Sequence, residues 1–256
     1  MNKSLFISLM MASSLMASEP EKFDWSQVVN YQKGVHFTSG NQILHYRSYN
    51  TPYQDNPESK NFVAKHFQKA KPLFSDAEVL RLASDSVTID GLFVELGVCT
   101  GTTINFIGAL NPHKKIYGFD SFEGLPEDWV RGDRIIPQGS LGLKNPSVLP
   151  PVLHNVELIK GWFDDTLPMF AKQATHPIAL LHIDCDIYSS TVSAFQHLGG
   201  LLREGTVIVF DEFYNYPGYE NHEFKAFMEF LESQSFKAEY LAFNTNHQQV
   251  AVRLVR

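Results

Sequence analysis

Cysteine is scarce in this chain: only Cys99 and Cys185 occur among 256 residues. Two cysteines cannot make a disulfide framework. Lysine and arginine form no cluster, and the formal net charge is −7. Phosphate backbones are bound by concentrated positive charge, so nucleic acid is excluded as the principal partner. No apolar run reaches the ~20 residues that a helix needs to span a bilayer, which excludes a helical membrane span. What is present is an ordinary globular composition, 44% hydrophobic and 19% charged. A length of 256 residues accommodates one good-sized core with an appendage.

The chain is organised around Leu92 to Thr103, LFVELGVCTGTT, where an apolar run breaks at Gly97 and Gly101. A helical apolar periodicity follows from Ile104 to Leu110. Strand, glycine turn and helix present backbone N–H groups to a nucleotide-like ligand. The turn lacks the middle glycine of the fingerprint that wraps a pyrophosphate. Glu95, beside it, would repel a diphosphate but suits a cationic ligand such as S-adenosylmethionine (SAM), which carries a sulfonium and an ammonium. Asp120 ends the next strand, Lys115 to Phe119, about 20 residues past the turn, where a ribose hydroxyl pair is held.

Ahead of this unit, residues 1–17 pair Lys3 with an apolar run ending at Ala17, the pattern of a weak secretory signal. Residues 18–75 are rich in aromatics and histidines and suit a lid or a surface for homo-oligomer contact. Helices are expected over Asn61 to Ala70, stopped by Pro72, and over Asp76 to Ser84, capped by Ser75. Residues 76–256 form the main domain. Within it, Ser121 to Pro151 is a long loop with little periodicity, from which Trp129, Arg131 and Arg134 can reach a ligand. Trp162 and Phe163 follow the strand Val156 to Lys160 and can flank an aromatic base.

The densest chemistry lies at two further strand ends. IALLHIDCDIYSST carries Asp184 and Asp186, and Thr206 to Phe210 runs into Asp211-Glu212. In open α/β sheets the C-terminal strand edge is where ligands bind. Carboxylates there can share a hard divalent cation or supply a general base. Asn244 to His247 then joins two terminal strands as a hairpin.

ELGVCTG, GFDSFEGLP, GWFDDTLP, HIDCDIYSST and VIVFDEF, spread in order over Asp90 to Arg256, resemble the macrocin O-methyltransferase group of class I SAM-dependent methyltransferases. The resemblance implies a Rossmann-like α/β sheet of seven strands in the order 3-2-1-4-5-7-6, strand 7 antiparallel, here with an N-terminal helical lid. It also implies metal-dependent transfer of a methyl group to a hydroxyl of a sugar-like small molecule, with SAM and Mg²⁺. On this basis Glu95, Gly97 and Gly101 cradle the methionine part of SAM, Asp120 holds the ribose, and Trp162 and Phe163 border the adenine. Asp184, Asp211 and Glu212 take the metal positions, and Asp184 or Asp186 is the base. Glu212 departs from the shorter Asp or Asn usual at its position. Ile187 stands where catechol-type relatives use a lysine base. Two rival readings stay open: a nicotinamide-dependent oxidoreductase, and an exported non-catalytic binding protein. SAM is made in the cytoplasm, which favours a cytoplasmic location, whereas residues 1–17 favour export.

Overall fold

The computed structural model describes residues 52–256 and a backbone hairpin of two short strands, β1 (Phe37–Ser39) and β2 (Gln42–Leu44). The signal-like stretch 1–17 lies outside the described residues. In chain order there follow α1 (Pro57–His66), β3 (Lys71–Leu73), α2 (Asp76–Asp85), β4 (Leu92–Leu96), α3 (Thr102–Leu110) and β5 (Ile116–Asp120). A small hairpin, β6 (Trp129–Val130) and β7 (Ile135–Ile136), precedes β8 (Val156–Lys160), α4 (Phe163–Gln173) and β9 (Ile178–Ile183). The chain closes with α5 (Tyr188–Leu198), β10 (Val207–Phe210), α6 (Glu223–Gln234), β11 (Lys237–Asn244) and β12 (Val250–Val255).

One eight-stranded sheet runs β3-β11-β12-β10-β9-β4-β5-β8. β12 is antiparallel to β10 and β11, and the remaining neighbours are parallel. Every residue of β9 and β10 is buried, so these strands show no polar alternation, as expected of central parallel strands, and His182 is their one polar side chain. One apolar cluster joins α2 and α3 to the sheet through Leu80, Ile104 and Phe106. On the opposite face Leu167, Phe195 and Phe227 bring in α4, α5 and α6, and Phe62 and Phe67 add α1 and the residue after it. The result is the Rossmann-like α/β architecture with an N-terminal helical region.

Several expectations need correction. α1 starts at Pro57 rather than Asn61, because the Asn56 side chain accepts from the N–H groups of Glu58 (2.9 Å) and Ser59 (3.4 Å). Pro72, expected only to stop a helix, sits in an eighth strand paired in parallel with β11, Pro72 opposite Phe243. Proline suits a sheet edge, where no further strand asks for its missing N–H. α5 begins at Tyr188, one residue before the expected serines. Ser75 does cap α2: its Oγ accepts from Glu78 N–H (3.2 Å) while Glu78 Oε2 accepts from Phe74 N–H (2.9 Å). Of the expected lid or extension, residues 18–75, the structure describes the side chains of residues 52–75 only. α1 is buried against the outer aromatic core, and no residue of that segment lines the main cavity. The segment 121–151 covers one side of the cavity, and its β6–β7 hairpin carries Trp129, Arg131, Arg134 and Ile136 into the wall.

Candidate active site

A cavity of about 1050 Å³ opens at the C-terminal edge of the sheet. Its floor is made by the turns after β4, β5 and β9. Gly97 has φ +89°, and a Cβ there would lie 1.8 Å from the backbone oxygen of Asp184. Only glycine lets the β4 turn lie this close to the β9 turn. Backbone bonds complete the join, from Gly97 N–H to Phe119 O (2.9 Å) and from Asp184 N–H to Leu96 O (2.9 Å). Gly101, φ +81°, starts α3 but does not line the cavity.

Asp120 lines the floor and is already engaged. Its Oδ2 accepts from the N–H groups of Val98 and Cys99 (both 2.7 Å), and Oδ1 from Phe122 N–H (2.6 Å). It therefore braces the glycine turn as well as facing the cavity. Trp162 (38% exposed) and half-buried Phe163 stand together on the wall at the start of α4. Glu95 is not at the surface of the cradle. It is fully buried, and its carboxylate accepts from Thr103 Oγ1 (2.8 Å) and contacts His182 Nδ1 (3.1 Å).

His182 carried no role in the sequence reading, although one signal for it was there. It and Asp184 are two apart on one strand line and so share a face. His182, Asp184 and Asp211 each bring one ligand atom within 4.8 Å of the others. Burial raises the Asp184 carboxyl well above the ordinary range, and the charge of Asp211 raises it further. Burial also works against ionised Asp211, but the His182 imidazole outweighs it and holds that pKa low. Burial would lower the His182 pKa, yet Asp211 and Glu95 prevail and raise it. Two converging carboxylates and a buried ring nitrogen without a hydrogen-bond partner, His182 Nε2, are a donor set that fits a divalent cation.

Glu212 lies beside this group rather than within it. Its backbone N–H donates to Glu223 Oε2 (3.0 Å), its side chain lines the cavity, and its Oε2 has no hydrogen-bond partner. Burial, then the charge of Asp211, raises its pKa well above normal. Asp186 also lines the cavity, from the centre of a three-residue turn closed by Ile187 N–H to Cys185 O (2.7 Å). Its φ of +65° is unusual for a residue with a side chain. Burial, then Asp211, pushes its pKa up to about 7.

Above the acids stands an aromatic and cationic wall. The Arg131 guanidinium lies over the rings of Trp129 (4.8 Å) and Tyr216 (4.4 Å). The β6–β7 hairpin is fastened there by Gly132 N–H to Pro217 O (2.9 Å) and by the His222 ring at 3.0 Å from Val130 O. Asn246, His247 and Gln248, from the β11–β12 hairpin, close the far side. Both cysteines are free thiols.

Residues 94–213 match the family described as "Methyltransferase domain". A tetracenomycin-C rhamnosyl 4'-O-methyltransferase of Streptomyces olivaceus is 28% identical over 52% of this chain and 58% of its own length. Demethyldecarbamoylnovobiocin O-methyltransferase of Streptomyces niveus is 29% identical over 50% of this chain and 55% of its own. The chain thus spans a little over half the length of these curated relatives. The calicheamicin methyltransferase CalS11 shares the fold, with a TM-score of 0.52 at 21% identity, over 77% of this chain and 80% of that one. The glycine turn and the acidic strand ends both lie within residues 94–213, the stretch that matches the methyltransferase-domain family, and the chain is similar to bacterial O-methyltransferases that act on sugar-bearing antibiotics.

Proposed function

We propose that this protein transfers the methyl group of SAM to a hydroxyl of a small, sugar-like acceptor, with help from a divalent cation. The observation that carries this reading is the single cavity in which the glycine turn, Asp120 and Trp162 lie across from Asp184, Asp186 and Asp211. Its volume of about 1050 Å³ is at the upper end for small-molecule sites and leaves room for an acceptor beside SAM. The S. olivaceus relative is named for methylating a rhamnosyl group, which supports a sugar-like acceptor here. On this reading β8-β5-β4-β9-β10-β12-β11 corresponds to strand order 3-2-1-4-5-7-6, with β3 appended.

SAM supplies an electrophilic methyl on sulfur, and a divalent cation such as Mg²⁺ supplies a Lewis acid that makes the acceptor hydroxyl more acidic. The rest is done by the chain. The backbone of the Gly97 turn and Asp120 position the cofactor, and Trp162 with Phe163 flank its adenine. Asp184 and Asp211 hold the cation, with Glu212 beside them. Asp186, which lines the same cavity, takes the hydroxyl proton. The Arg131 wall and the polar hairpin residues grip the non-reacting part of the acceptor. SAM is made in the cytoplasm, and that supply supports a cytoplasmic location on this reading.

The test is release of S-adenosylhomocysteine, followed by mass spectrometry, with a panel of free and glycosidic sugars, with chelator and with Mg²⁺ restored. Turnover that needs the ion and an acceptor is the expected result. Calorimetry showing binding of NAD but not SAM would return the oxidoreductase reading.

A further inference from the structure

Glu95 belongs to the glycine-turn stretch, yet its carboxylate points away from the cavity and into the sheet. β4 and β9 are parallel neighbours, and their register sets Glu95 directly opposite His182. The contact between Glu95 Oε2 and His182 Nδ1 (3.1 Å) is therefore built into the strand pairing, and both residues are fully buried. Thr103 Oγ1, donating from α3, fixes the other carboxylate oxygen (2.8 Å). With Nδ1 facing Glu95, Nε2 is the ring nitrogen left to face the acids.

That nitrogen is the unusual atom. His182 Nε2 is buried without a hydrogen-bond partner. Leaving a buried polar atom unpaired is costly, so something else must engage it. It faces Asp211 Oδ1 at 3.9 Å, and Asp184 completes a group of ligand atoms mutually within 4.8 Å. Donors held about 2.0–2.2 Å from one ion are roughly 3–4 Å apart, so a small contraction brings all three onto a single centre.

We propose that His182, oriented by Glu95, is the third protein ligand of the cation held by Asp184 and Asp211. This rests on the metal-assisted reading above and replaces Glu212 as a direct ligand. A carboxylate behind a ligating histidine fixes the ring and makes it a better donor. Glu95 thus acts as a positioning residue for the ion rather than a cradle for the cofactor.

The test uses the full chain, stripped with chelator and loaded with Mn²⁺. Pulsed electron paramagnetic resonance should show modulation from one imidazole nitrogen coupled to the ion. His182→Gln should lose that coupling and bind Mn²⁺ more weakly. Glu95→Gln should keep the coupling and lose about 10–100-fold in Mn²⁺ affinity. Bound Mn²⁺ without nitrogen coupling in the unaltered protein overturns His182 ligation, whatever the variants do, and leaves metal-assisted transfer to Asp184 and Asp211. Failure to bind Mn²⁺ at all overturns this proposal and the metal-assisted reading together.

Discussion

Asp120 shows how one carboxylate can serve structure and ligand at once. Three backbone N–H groups converge on it, two of them from the glycine turn. Hydrogen bonds to a charged group contribute roughly 1.5–3 kcal/mol each. Asp120→Ala should therefore lower unfolding stability by about 3 kcal/mol or more, measured by urea denaturation, besides weakening SAM binding. A variant of unchanged stability would mean the turn holds without its brace. Position in the sequence located Asp120 and the acids at the strand ends. The direction of Glu95 was not legible, because two parallel strands decide which face of β4 meets His182, and that pairing joins residues 87 apart in the chain. His182 was legible in part, through its spacing from Asp184, but a buried histidine in an apolar strand is ordinary until its partners are known.

At the scale of elements, the long periodic ones were plain from the chain. β10 is an unbroken apolar run, β9 is apolar but for His182, and α2 begins at its serine cap. The short ones were not. β3 has three residues, one of them proline, and β6 and β7 have two each, too few for any alternation to show. They exist because tertiary neighbours supply the pairing. The β6–β7 hairpin depends on close backbone approach: a Cβ at Gly132 would sit 2.9 Å from Pro217 Cβ and 3.0 Å from Pro217 C. Gly132→Val should loosen the hairpin from the β10–α6 connection while leaving the sheet folded. Limited proteolysis should then cut within 121–151 sooner than in the parent protein, with an unchanged far-ultraviolet circular dichroism spectrum.

For the whole molecule, the acid cluster sets how stability varies with pH. Burial raises the pKa values of Glu95, Asp184, Glu212 and Glu223, and lifts Asp186 to about 7. Such groups keep a proton in the folded state that the unfolded chain has released above about pH 4. Their favourable linkage is full below that value and fades as pH rises through the folded pKa. His182, raised by Asp211 and Glu95 against the effect of burial, acts with the same sign, and lowered Asp211 opposes it. The metal-free protein should melt several degrees lower at pH 8 than at pH 6, and a saturating divalent ion should narrow the gap. Differential scanning calorimetry at the two pH values, with and without Mn²⁺, measures both effects. A melting point that rises from pH 6 to pH 8 would contradict the protonated cluster.

The segment before α2 reaches the cavity by a route of its own. Tyr53 N–H donates to Thr245 O (3.0 Å), Thr245 N–H to Leu73 O (2.7 Å), and the Asn246 side chain to Phe74 O (3.2 Å). Those bonds clasp the same hairpin that brings Asn246, His247 and Gln248 to the cavity wall. Residue 76 looks like a natural seam, because α2 starts there on its own cap. Recombination between relatives at that seam would nevertheless separate the clasp from the hairpin it holds. Crossovers that exchange acceptor preference intact would have to carry residues 52–75 along with the C-terminal hairpin, although the two stretches lie at opposite ends of the described chain.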